Sequence, residues 1–496
     1  MSARADGFAV RCGVHDPDRE AACSEVARRL EEAGIERVRL GWCDVHGLLR
    51  GKTLMPAAAV RALREGVGMV GTLMLKDHAD RTAWRVFERG ATDDIPAFAG
   101  AANLVLLPDP DSLVLLPWSP GTAWLRCQPW FQDGTPVPMD SRRVLQAALA
   151  RLAATGHGLR VGLEVEFHVY RMLDSRPQLD PELAAWPGLP PAVEMIHPGY
   201  QLQGEAMTDM AEPVLRIVQQ TAQDLGLPLQ SLEIELGPSQ IEAVFDATDA
   251  LTAADQMVLF RNGVRQALRR CGYLATFMCR PPFPGIMSSG WHLHQSLVRL
   301  DTGANAFVRA GSAPGTHPGE ASHALSDTGC HWLGGLLAHA DALACLCTPT
   351  ANGFGRFRPH ALAPQAAVWG RDNRGAMLRV VGGAGDPSTR IENRLGEPAA
   401  NPYLYMAAQV AAGLDGLSRR IAPPNASEDP YDPRHHRIPS TLGAALDALA
   451  ADPVMTTGLG ETATAHFLHI KRAEAARHAE AEDKLEFDRR EYFSRI

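Results

Sequence analysis

The stretch from Gly162 to His168 reads GLEVEFH, with Glu164 and Glu166 two residues apart in an otherwise apolar run. In a β-strand this spacing puts both carboxylates on one face and Leu163, Val165 and Phe167 on the other. The apolar face packs on a core. Carboxylates side by side on the opposite face repel unless a cation lies between them. Two readings are open here. One is a half-exposed strand with a solvated acidic face; the other is a divalent-metal site completed by carboxylates and histidines from elsewhere in the chain.

Three other segments repeat the pattern of polar residues at i and i+2. They are Glu233/Glu235, His292/His294 and Arg390/Glu392/Arg394, and a single carboxylate, Glu242, follows the turn Gly237-Pro238-Ser239. Each alone is weak. A strand histidine pair is more often one ligand plus one structural residue, and an R-x-E-x-R strand is more often a surface ion-pair ladder. Four such strands together describe an antiparallel sheet or open barrel whose concave face is lined with Glu, His and Arg. Hard divalent ions such as Mg²⁺ or Mn²⁺ take oxygen ligands with an occasional imidazole. Arginines bind transferred phosphoryl oxygens in bidentate fashion. The loose transition state of phosphoryl transfer asks mainly for such an electrostatic clamp. The pattern points to ATP-dependent phosphoryl transfer without a Walker loop. His46-Gly47…Arg50-Gly51-Lys52-Thr53 is one residue short of a P-loop and lacks the strand-to-helix context, so it reads as chance.

The 496 residues suffice for two domains and a large core, and 46 % apolar with 21 % charged residues is ordinary for a globular protein. A net charge of −9 with no basic stripe argues against nucleic acid as a partner. The nine cysteines, odd in number and without C-x-x-C spacing, indicate a reducing compartment. No run approaches the ~20 apolar residues of a membrane span, and MSARADGFAV has no signal-peptide core. The expectation is a cytoplasmic protein without a membrane partner. Residues 1–135 read as a small, strand-rich α+β domain. It has a helix over Asp16–Ala33, a strand and turn through Val38–Gly47, and a hairpin or sheet edge formed by Leu104–Leu107 and Leu113–Leu116. Residues 136–496 read as a larger domain. Helices are expected over Asp140–Leu152, Glu212–Leu225, Ala253–Cys271, Gly334–Cys347 and Lys471–Glu486, with surface loop over Gln178–Gly199.

The motifs GLEVEF, ELGPSQIE, SSGWHLHQSL, PTANGFGRFRP, RDNR with Leu378-Arg379, and RIENR followed by Asn401-Pro-Tyr-Leu404 run nearly the length of the chain. With them the chain resembles glutamine synthetases and their γ-glutamyl-amine ligase relatives. The resemblance implies an α+β fold: an N-terminal β-grasp domain and a C-terminal catalytic domain with an antiparallel β-barrel flanked by helices. It implies glutamate, ATP and ammonia or an amine as substrates, and Mg²⁺ or Mn²⁺, two or three per active site. Glu166, Glu235 and Glu242 would hold one metal, and Glu164, His292 and Glu392 the second. Arg374 and Arg379 match the ATP-phosphate arginines, and Arg390, His294 and Ser296 match nucleotide-side contacts. Arg356 and Arg394 match residues that bind the glutamate carboxylate and the transferred phosphoryl group. Relatives form hexameric rings or dodecamers with active sites between subunits, so a homo-oligomer is expected.

The departures concern the amine. Ammonia-using members carry a flap glutamate where this chain has Leu362, and the glutamate-loop asparagine is replaced by Met287. The N-terminal aspartate that completes an ammonium site has no counterpart in Val86–Ile95. Replacing a carboxylate with leucine removes both a charge and a proton acceptor. Leu362, Met287 and Trp291 suit a bulky, apolar or aromatic amine such as an aniline better than ammonia or a polyamine. The alternatives are glutamine or γ-glutamylpolyamine synthesis, a non-catalytic relative, and a metal-dependent hydrolase built on His292 and His294.

Overall fold

A computed structural model describes residues 7–309, 320–358 and 363–496. The first six strands are β1 (Arg37–Cys43), β2 (Leu49–Leu54), β3 (Val67–Val70), β4 (Asn103–Pro108), β5 (Val114–Leu115) and β6 (Thr122–Trp130). They form one sheet in the order β2-β1-β6-β4-β3, with β5 beside β6. β1 and β2 are joined by the Asp44–Gly47 turn, where Asp44 Oδ1 accepts the N–H groups of His46 and Leu48 at 3.0 Å each. Gly47 has φ +79°, and a Cβ there would meet the Arg261 guanidinium at 2.5 Å. Arg261 donates to the Gly47 carbonyl, and Asn401 donates to that of Asp44, at 2.9 Å each. The motif His46-Gly47 therefore docks the N-terminal sheet on the rest of the chain. It has no phosphate-binding geometry, since Lys52 and Thr53 lie on β2 and no helix follows the turn.

The second sheet contains β7 (His157–Asp174), β8 (Ala192–Met195), β9 (Leu229–Ile234), β10 (Gln240–Asp249), β11 (Tyr273–Thr276) and β12 (Trp291–Arg299). It is completed by β13 (Trp369–Arg371), β14 (Leu378–Val381) and β15 (Arg390–Asn393). Its order is β13-β14-β15-β12-β7-β10-β9, with β8 and β11 on the far end of β7. All pairs are antiparallel except β13 with β14. β7 is the 18-residue spine. Leu159, Val161, Leu163, Val165, Phe167 and Val169 are all buried on one face, against helices that include Ser141–Ala153 and Ala250–Arg270.

Several expected boundaries shift. The Leu104–Leu107 and Leu113–Leu116 segments form no hairpin with each other: β4 pairs with β3 and β6, while the short β5 pairs with β6 alone, the sheet-edge alternative. The Glu212–Leu225 helix starts at Glu205, with Pro213 inside it rather than at its first turn. The Gln178–Gly199 loop contains β8. The single Gly334–Cys347 helix is two, Asp327–Ala338 and Ala340–Cys347, bent by 78° at His339. The charged C-terminal helix is likewise two, Glu461–Glu480 and Lys484–Glu491. Among the described residues no single helix is long and apolar enough to cross a membrane, and every cysteine is a free thiol.

Candidate active site

Strand register carries the polar residues of distant segments onto one face. Glu242 on β10 lies opposite Glu166 on β7 and opposite Glu233 on β9. Glu164 lies opposite His292, His294 opposite Glu392, and Glu392 opposite Arg379. Glu235 falls just past the end of β9, yet its carboxylate reaches those of Glu166 and Glu242, the three ligand atoms all lying within 4.8 Å of one another. Glu164 with Glu242 and His292, and Glu164 with His294 and Glu392, meet the same limit.

Histidine 292 is central. Its Nδ1 stands 3.5 Å from Glu164 Oε2 and 3.8 Å from Glu392 Oε1, and its Nε2 is 3.8 Å from Glu166 Oε1. His294 Nε2 lies 2.8 Å from Glu164 Oε1, while its Nδ1 accepts from Arg390 Nε at 3.0 Å. Neither His292 Nδ1 nor His294 Nε2, both buried, has an aligned hydrogen-bond partner. Glu392, fully buried, is held by Arg379 at 2.9 Å and by Arg394. His294 thus joins the second carboxylate set, where the sequence suggested only a nucleotide contact.

The electrostatics divide the face in two. Burial and the charge of Glu235 push Glu166 up to about 8, and burial with the charge of Glu166 pushes Glu242 up to about 10. Glu235 is also raised, by burial. Burial opposes ionisation of Glu392 too, but His292 and Arg394 outweigh it and hold that carboxyl down at about 2. His292 and His294 likewise hold Glu164 below the usual carboxylate range against its burial. Burial and Arg394 lower His292 to about 4, so it is a neutral imidazole with a lone pair to offer at neutral pH. Three carboxylates that cannot share a cavity as anions, beside orphaned imidazole nitrogens, are a donor set suited to hard divalent ions.

The arginines fall around this core. Arg356 is buried and donates to the carbonyls of Arg394, Leu395 and Gly396, at 3.0, 3.2 and 2.7 Å. Arg374 is exposed between β13 and β14. A cavity of about 910 Å³ opens beside Glu164 and His294, lined also by Arg160, Ser296, Asn305 and Arg390. Glu233, opposite Glu242, is bonded to Gln203 and Ser231, at 2.6 and 3.0 Å, and its charge helps raise Glu235 and Glu242.

Of the residues expected at the amine, Leu362 lies outside the described residues. Met287 is half-buried over Gly237, where an added Cβ would meet its own Cβ at 2.8 Å. Trp291 is corrected: one residue from His292 on a strand, it points to the opposite face. There it is fully buried in the core and edge-on to Tyr405 at 5.1 Å. Tyr200, which the sequence did not single out, bonds through its hydroxyl to the Gly285 carbonyl and walls the same loop. Gln240 and the Gly290 N–H, also missed, both bond Glu166; Gln240 was detectable as the same-face neighbour two residues before Glu242.

Residues 138–490 match the family model of the glutamine synthetase catalytic domain. The chain belongs to the glutamine synthetase family. A γ-glutamylanilide synthase from Acinetobacter sp is 36 % identical over 97 % of each chain. A γ-glutamylethanolamide synthetase from Streptomyces coelicolor is 31 % identical over 89 % of each. A solved GmaS/ADP complex superposes with a TM-score of 0.75 at 29 % identity, covering 93 % of this chain and 98 % of that one. This glutamine synthetase family member is an ATP-dependent glutamate–amine ligase. The hydrolase and non-catalytic alternatives fall with that assignment.

Proposed function

We propose that this ligase joins the γ-carboxyl of glutamate to a bulky, apolar or aromatic amine of the aniline type, through γ-glutamyl phosphate. A γ-carboxylate oxygen of glutamate attacks the γ-phosphorus of ATP and ADP leaves. The amine nitrogen then attacks the acyl carbon, phosphate leaves and the nitrogen loses a proton. Glu166, Glu235 and Glu242 would hold one Mg²⁺ or Mn²⁺, and Glu164, His292 and Glu392 another, with His294 beside them. Such ions, when bound, neutralise phosphate charge. Arg390, His294 and Ser296, which line the large cavity, bind the nucleotide together with Arg374 and Arg379. Arg394 and Arg356 face the glutamate and the transferred phosphoryl group. In this reading residues 1–135 are the N-terminal domain and 136–496 the catalytic domain, the chain acts in the cytoplasm, and it works as a homo-oligomer in rings of six with sites between subunits.

One position carries the choice of amine: Leu362 stands where ammonia-using relatives have a carboxylate. Ammonium must lose a proton before it attacks, so it needs that acceptor; an arylamine is already neutral at pH 7 and does not. The 36 % identical γ-glutamylanilide synthase supports the same choice. The test is phosphate release and product mass with glutamate, ATP, Mg²⁺ and a panel of ammonia, alkylamines, diamines and anilines. Highest kcat/KM for an aniline is expected. Strict preference for ammonia would overturn the amine and leave the ligase chemistry standing.

A further inference from the structure

Gln240 is 1 % exposed and begins β10, two residues before Glu242. Its side-chain oxygen accepts the Gly237 N–H at 2.9 Å. That bond settles which end of the amide faces the carboxylates, because a flipped amide would set two donors against each other. The Nε2 stands 3.1 Å from Glu166 Oε2, 3.1 Å from Ser289 Oγ and 3.3 Å from the Ser288 carbonyl. Glu166 Oε2 also accepts the Gly290 N–H at 2.8 Å. Both donors converge on one oxygen, so the other, Oε1, is the one turned to His292. The main-chain carbonyl of Gln240 accepts the Glu235 N–H at 3.1 Å. Ser289 Oγ, 3.2 Å from the Nδ1 of fully buried His168, anchors the amide from behind. One residue is therefore tied to Glu166 by its side chain, to Glu235 by its backbone and to Glu242 by chain spacing.

We propose that Gln240 is a positioning residue that assembles Glu166, Glu235 and Glu242 into one preorganised cation site, holding Glu166 by Oε2 so that Oε1 is presented to the ion. The inference rests on the reading of this triad as a cation site. Groups that orient ligands from behind change metal affinity by about 10–100-fold when removed. A residue that merely fills the turn would change stability and leave ion affinity alone.

The test uses the full-length assembled enzyme without nucleotide and follows Mn²⁺ binding by electron paramagnetic resonance. Gln240→Met keeps the volume and deletes every side-chain hydrogen bond. It should weaken one class of Mn²⁺ site by about 10–100-fold and leave the other within about twofold. Ser289→Ala removes one of the amide's anchors and should weaken the same class by a smaller, measurable factor of at least about threefold. Saturating Mn²⁺ should restore turnover in both. Unchanged Mn²⁺ affinity in a folded Gln240→Met protein would overturn the proposal, whatever the effect on thermal stability. Should that variant not fold, Ser289→Ala decides, and an unshifted affinity there overturns it. Absence of any Mn²⁺ site in the wild type would defeat the cation reading itself, an outcome distinct from wild-type binding with unaltered variants.

Discussion

Glu166 and Glu392 lie on the same face and fail in different ways when removed. Either substitution to Ala deletes a proposed metal ligand and should cut turnover by more than about a hundredfold. Their effects on the metal-free fold should differ in size. Glu392 is 0 % exposed between Arg379 and Arg394, so Glu392→Ala removes the buried carboxylate that both guanidiniums bond and should cost about 3–5 kcal/mol. Glu166→Ala removes a carboxyl that burial keeps protonated, and it leaves the Gln240 Nε2 and Gly290 N–H without their acceptor, so it should cost less, about 1–3 kcal/mol. Thermal unfolding of the two variants after chelation reads this directly. The raised carboxyls also give a pH dependence. Glu166 near 8 and Glu242 near 10 hold protons in the metal-free protein that the unfolded chain would have released. Metal-free stability attributable to them is present below the ordinary carboxylate range and is lost as pH rises toward 8–10. Ion binding must displace those protons, so Mn²⁺ affinity should climb between pH 6 and 9, with proton release detectable by calorimetry in buffers of different ionisation enthalpy. A pH-independent affinity would contradict the carboxylate triad. Each of these side chains was legible singly as an i, i+2 pair. Spacing alone did not show which of them meet, because pairing between strands more than 60 residues apart leaves no local mark; the grouping of Glu166 with Glu235 and Glu242 came from the family resemblance.

At the level of elements, alternation along β7 was readable because one face is wholly apolar and fixes the register, while the inner faces of β12 and β15 also carry Gln295 and Asn393, both bonded to Gln409. The same rule places Trp291 in the core, and a pocket role for it conflicted with His292 as its neighbour. The bend at His339 was not readable: Leu336–Cys347 contains no proline or glycine to mark a break, and the break coincides with long-range partners of His339. His339 Nδ1 meets Asp452 at 2.6 Å and its Nε2 meets Asp415 at 3.0 Å. Asp452 caps the helix Pro453–Leu459, and Asp415 lies in Pro402–Arg419. Burial opposes the imidazolium, but the two aspartates outweigh it and raise His339. A raised histidine contributes fully below its unfolded value near 6.5 and loses that contribution as pH rises through the folded value. His339→Gln should therefore lower the thermal midpoint at pH 6, by about 1–3 kcal/mol in stability, and by less at pH 9. Equal losses at both pH values would show that the ion pairing is not what holds the bend.

Across the whole molecule, the His46-Gly47 turn seated on Arg261 and Asn401 ties the N-terminal sheet to the catalytic part of each chain. If rings of six form, light scattering should give a mass of six or twelve chains of 53.6 kDa, and a stable monomer would remove the shared-site reading. The sequence by itself determined the family, the strand-borne carboxylates, the histidine pair and the arginines, because period-2 alternation and motif spacing are local properties of the chain. It also located the question of the amine at Leu362. The tertiary structure brings Glu166, Glu235 and Glu242 together as the resemblance implied, and it alone decided that His294 joins Glu164 and Glu392 and that Gln240 and Gly290 fix one oxygen of Glu166. Those are consequences of register and of a turn's exact approach, which come from packing the apolar faces of GLEVEFH and its partner strands.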